Sequence, residues 1–148
     1  MAHVPMSHTK ARSSVALSLP GYSVGRIGAI AARVGGAGLL VAIGLIHLIA
    51  APGHFEQQPY VGVLFWLAAA GSFLAALGIL FGIGGAWILG AFLALSTFVG
   101  LLLATTIGLP NFSEDLSDSL AVASLFVEGA FLVLYAGAAT HRSTPLGT

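Results

Sequence analysis

Residues 34–51 read VGGAGLLVAIGLIHLIAA, a run whose only polar side chain is His47. An apolar stretch of about 18 residues or more is long enough to cross a hydrocarbon core of about 30 Å as a helix. Working outward along the chain, the pattern returns three times, over Val61–Gly82, Ala86–Leu109 and Leu120–Thr140. Four such runs in 148 residues leave almost nothing for a water-facing domain. The expected fold is therefore all-α: a polytopic membrane protein built as an antiparallel, up-down-up-down four-helix transmembrane bundle embedded in a lipid bilayer.

Composition agrees. Hydrophobic residues make up 57% of the chain, charged residues 7%, and the mean hydropathy is +1.00. Soluble domains carry about 25% charged residues, so this chain has too few to cover a surface in water. A formal net charge of zero offers no basic stripe, which argues against a nucleic-acid partner. The absence of cysteine excludes disulfides, thiolate metal sites, iron–sulfur clusters and a cysteine nucleophile. Both methionines, Met1 and Met6, precede the first span, so a methionine path for copper is excluded too.

The five basic residues, Lys10, Arg12, Arg26, Arg33 and Arg142, all fall before the first span or after the fourth. The first and third connections instead hold Glu56, Glu114, Asp115 and Asp118. Cytoplasmic segments are enriched in Lys and Arg. Both termini are accordingly expected in the cytoplasm, with the chain in the inner (plasma) membrane and the acidic links outside. Residues 1–25, with His3, His8, Pro5 and Pro20, read as a flexible cytoplasmic tail. The transmembrane domain then covers 26–140, and 141–148 form a short cytoplasmic tail.

The links are short: Pro52–Tyr60, about three residues around Gly84, and Pro110–Ser119. Short links make consecutive helices antiparallel neighbours. Pro52-Gly53 is expected to stop the first helix, and Gly108-Leu109-Pro110 the third. Tyr60, Trp66 and Trp87 fall near span ends, where interfacial aromatics sit. Small residues recur every four positions, as in Gly78/Gly82/Ala86/Gly90/Ala94 and Ser96/Gly100/Ala104/Gly108. In lipid such rows let backbones approach closely. Thr97, Thr105 and Thr106 can bond backbone carbonyls one turn back.

Two residues stand out inside the spans, His47 and Glu128. A carboxylate within the bilayer costs several kcal/mol unless it is paired or protonated, which makes such residues functional candidates. Ser117, Ser124, Glu128 and Tyr135 project within about 40° of one another at 100° per residue, forming a polar stripe on the fourth helix. His47 and Glu128 approach similar depths on the first and last helices, with His54 and Glu56 just beyond Pro52-Gly53. His47, His54, Glu56 and Glu128 together are ligand types for zinc, copper(II) or non-haem iron, and two histidines are a haem pair. The same groups are the parts of a proton relay, or plain interhelical hydrogen bonds. No Ser/His/Asp arrangement, phosphate loop or paired-carboxylate motif is present, so catalysis is not expected.

The run from Gly44 through His47, Pro52-Gly53-His54, Glu56 and Gly62 to Phe65 resembles a pattern in small uncharacterised four-span proteins of high-GC bacteria. That pattern reads His, Pro-x-His, an acid, then Gly-x-x-Phe, and the later Gly108-Leu109-Pro110, acidic loop and Glu128 are similar. The topology more distantly resembles DoxX-like membrane proteins. Those carry an acid in the second span, where this chain reads Ala68-Ala69-Ala70-Gly71-Ser72. The resemblance covers about residues 30–140, implies a four-helix bundle and attaches no established activity. The expected role is a non-enzymatic accessory or ligand-binding subunit with a polar His/Glu site near the outer face, as a homo-oligomer or with a membrane-protein partner. The alternatives are a small oligomeric transporter or proton-coupled carrier, and a haem- or metal-binding redox subunit.

Overall fold

Gln58-Pro59, and not Pro52-Gly53, divides the first helix from the second. The computed structural model describes residues 24–142, with side chains over 27–140. In it α1 runs Val24–Gln57, α2 Pro59–Leu80, α3 Gly84–Thr106 and α4 Ser119–Arg142. Among the described residues there is no strand, and all four helices are long and apolar enough to cross a membrane. The predicted all-helical, four-span architecture is present. Most of the two predicted tails lies outside the described residues, but α1 begins inside the first of them, at Val24, and α4 extends to Arg142.

Pro52 sits inside α1 with its ring exposed. An internal proline deletes one backbone hydrogen bond and costs about 3 kcal/mol in an ordinary helix, but membrane helices tolerate it through their neighbours. Gln58 is the residue that leaves the helix: it is extended, at φ −147° and ψ 107°, as the residue before a proline prefers. Pro59 then opens α2, where its missing N–H costs nothing. The turn at the other end is set by Gly82, at φ +77°. Its amide bonds Ile79 O and the Ile83 amide bonds Gly78 O, the paired closure of a Schellman cap. The Arg33 side chain lies beside Gly82, a cation at a helix C-terminus.

Sequential helices pack side by side, and α1 also meets α4, closing a ring of four. The main core lies toward the Gly82 end and includes Leu40, Ile43, Ile79, Trp87 and Phe131. Trp87, expected at the interface, is buried instead because Gly36 leaves room for its ring. The outward faces are apolar: Leu67, Leu74, Phe92, Phe126 and Val133 are each more than half exposed. That surface suits lipid and not water, and the chain is a multi-pass membrane protein.

The opposite end carries the link at Gln58 and the connection over residues 107–118. Gly108, at φ +77°, turns the chain out of α3, and Pro110 and Asn111 (φ 54°) form a tight turn closed by Leu109 and Phe112. Proline followed by a residue at positive φ is the signature of a type II turn. Tyr60 Oη donates to Pro110 O at 2.8 Å, tying this connection to the start of α2. Phe112 folds inward against Val61 and Ala104. At this exposed connection, the Ser117 backbone N–H and then its hydroxyl hold the Asp115 carboxyl below its usual pKa.

Candidate ligand site between the four helices

Because α1 continues through Pro52, His47 and His54 belong to one helix and lie seven residues apart. Two turns place them on one face, about 10 Å apart along the axis at 1.5 Å per residue. Each imidazole is held the same way. His47 Nδ1 donates to Ile43 O at 2.9 Å, and His54 Nδ1 donates to Ala50 O at 2.9 Å. A carbonyl only accepts, so Nδ1 carries the proton in both rings, and a neutral imidazole then presents Nε2 as an acceptor.

The two Nε2 atoms face different carboxyl groups. His54 Nε2 is 2.8 Å from Glu114 Oε2, sharing one proton as imidazolium with carboxylate or imidazole with carboxylic acid. His47 Nε2 is 3.7 Å from Glu128 Oε1, beyond hydrogen-bond range. Glu128 is fully buried; Ser124 Oγ donates to its Oε1 at 2.8 Å, and its Oε2 has no hydrogen-bond partner. Phe65 of α2 joins the two histidines, with its ring centroid 5.0 Å from His47 and 4.1 Å from His54, stacked on the latter.

All of these groups except Glu128 border a cavity of about 360 Å³ between the helices at the loop end. Small-molecule sites are commonly about 300–1,000 Å³, mostly apolar, with a few convergent polar groups. Here Phe65, Leu93, Leu101 and Phe112 supply apolar wall, while His47, His54, Thr97, Glu114, Asp118 and Ser124 supply polar atoms. Gly100 also lines it, and a Cβ at that position would meet no heavy atom within 4 Å. Leu64 and Leu67 line it too while being 55% and 62% exposed, so its wall is continuous with the lipid-facing surface of α2.

The four-residue cluster expected from sequence divides. His47 and Glu128 do approach, whereas Glu56 is exposed, and His54 takes Glu114 as its partner in place of either expected acid. Among the described residues no three His, Asp or Glu side chains gather as a metal site. The polar stripe is shortened at one end: Ser117 is exposed in the connection before α4 and its amide bonds Asp115 Oδ1. Ser124 and Glu128 are buried, and Tyr135 lies far down α4 beside Trp87 and Gly84. Thr97, Thr105 and Thr106 bond the carbonyls of Leu93, Leu101 and Leu102 as expected. Sequence reasoning missed Glu114 as a partner and Phe65 as the bridge. Glu114 stands 60 residues from His54, so no local spacing carried the signal. No protein family matches the chain, and neither a curated protein nor a solved structure shows similarity to it.

Proposed function

We propose that this chain is a non-enzymatic ligand-binding membrane protein that takes a small, apolar-bodied molecule into the cavity between its four helices. The single observation behind this reading is the cavity of about 360 Å³, apolar over most of its wall and continuous with the lipid-facing side of α2. A molecule dissolved in the bilayer would enter sideways and orient a polar group toward His47, His54 and Glu114. Naphthalen-2-ylmethanol is a suitable neutral probe for the purified chain in maltoside detergent. Saturable binding is expected, weakened at least tenfold in Gly100→Leu, whose new side chain enters open space and fills the site. Equal, non-saturating uptake by both proteins would sink the reading.

We further propose that the chain lies in the inner membrane with both termini cytoplasmic, so that the cavity sits in the outer half. The support is the placement of all five basic residues before α2 or at the end of α4, and of four acids at the loop end. Single cysteines at Gln57 and Ser143 report this in intact cells. An impermeant maleimide should label the first and spare the second, and the reverse pattern would invert the topology.

A further inference from the structure

Most of the polar side chains around the cavity have their protons committed to bonds outside it. Thr97 Oγ1 donates its proton to Leu93 O, and Ser124 Oγ donates to Glu128 Oε1. His47 and His54 spend their Nδ1 protons on Ile43 O and Ala50 O. What these side chains still offer is lone pairs, Nε2 of His47 in its neutral form foremost, and the Ser96 hydroxyl, which also lines the cavity, can accept or donate. His47 Nε2 makes no hydrogen bond to another described residue, although the side chain is only 5% exposed and lines the cavity. Nε2 faces Glu128 from too far for a hydrogen bond, so an acceptor is left over at the cavity's edge for a donor from whatever occupies it.

Charge points the same way. Two acidic side chains, Glu114 and Asp118, line the cavity, and among the described residues no Lys or Arg does. Only one oxygen of each is engaged, Glu114 Oε2 by His54 and Asp118 Oδ1 by the Leu120 amide. Even with His54 fully protonated, the lining does not become positive while His47 is neutral. The aromatic rings of Phe65 and Phe112 add faces that attract a cation within about 6 Å. An anion here would meet carboxylates, and a ligand with only carbonyl acceptors would leave His47 Nε2 unsatisfied.

We propose that the ligand is a lipophilic amine bound as its ammonium ion, with the N–H groups on the cavity's acceptors and carboxylates and the hydrocarbon body along Phe65, Leu93 and Leu101. This rests on the ligand-binding reading above and narrows it to one chemical class. The carboxylates offset the cost of taking the cation out of water, and the apolar wall accepts its body.

Four probes of one shape separate the contributions in the full chain in maltoside: naphthalen-2-ylmethylammonium, its trimethylammonium analogue, naphthalen-2-ylmethanol and 2-naphthoate. A primary ammonium is charged at pH 7, as a lysine side chain is. The amine should bind at least tenfold tighter than the alcohol, with the naphthoate weakest. Glu114→Gln and Asp118→Asn should each reduce the amine's advantage over the alcohol; Asn keeps the cap on the Leu120 amide. Equal affinity for amine and alcohol would overturn the ammonium proposal while the ligand-binding reading stands. A trimethylammonium probe as tight as the amine would overturn the N–H requirement. Failure of all four probes to saturate would remove the binding reading itself.

Discussion

Glycines near the two ends of α3 are used to opposite effect. At the Gly82 end, Gly36 is filled by the Trp87 ring, and Gly90 receives Phe131 and Leu40. A Cβ at Gly36 would stand 2.6 Å from Trp87, and one at Gly90 would stand 2.9 Å from Phe131. At the loop end, Gly100 occupies the same kind of four-residue row in the same helix as Gly90, yet nothing fills the space beside it. A small residue permits close approach, but only a bulky side chain opposite turns that permission into packing. Where the opposite wall also recedes, the result is a cavity.

The sharpest break of this comparison is one substitution made at both ends. Gly90→Leu forces a branched side chain against Phe131 and Leu40, both fully buried and unable to move aside. Overpacking of that kind costs about 1–3 kcal/mol or more. Gly100→Leu meets no such wall and replaces glycine in a helix, worth up to about 1 kcal/mol in its favour. Thermal unfolding in detergent should therefore drop sharply or fail to show a folded state for Gly90→Leu, and hold or rise for Gly100→Leu. Matching losses in the two variants would mean that the loop end is packed as tightly as the Gly82 end.

That contrast marks what the sequence disclosed. The four apolar runs and the acid or turn chemistry between them revealed the number and order of helices, because hydrophobic length is a local property. The helix break was misplaced, since Pro52 and Pro59 carry equal local weight and only packing decides which is tolerated inside. Continuing α1 through Pro52 is what puts His54 two turns above His47 on one face. The approach of His47 to Glu128 was legible because intramembrane polar groups are few and turn toward the bundle interior. The pairing of His54 with Glu114 was not, because it depends on a connection folding back through Tyr60 and Phe112. Glu56 was drawn into the cluster by its nearness in sequence to His54, and helical geometry sends it outward.

The smaller test compares the two histidine–carboxylate pairs by double-mutant cycles, with thermal or denaturant stability measured in detergent. His54 and Glu114 share a hydrogen bond of 2.8 Å and are 12% and 14% exposed. Hydrogen bonds involving a charged group are worth about 1.5–3 kcal/mol, so an interaction energy of about 1–2 kcal/mol is expected for His54→Ala with Glu114→Ala. His47 and Glu128 are more deeply buried but 3.7 Å apart, with no hydrogen bond between them. His47→Ala leaves the bond from Ser124 to Glu128 intact, and Glu128→Ala leaves His47 bonded to Ile43 O. Each single substitution here removes a group without orphaning its neighbour further, so the coupling should be below about 0.5 kcal/mol, within the range of additivity. The ordering is opposite to what depth alone suggests, since the more buried pair couples less. Coupling at His47–Glu128 equal to that at His54–Glu114 would mean that the deep imidazole and carboxyl close to hydrogen-bond distance in the membrane. His47 Nε2 would then no longer be the acceptor left over for a ligand.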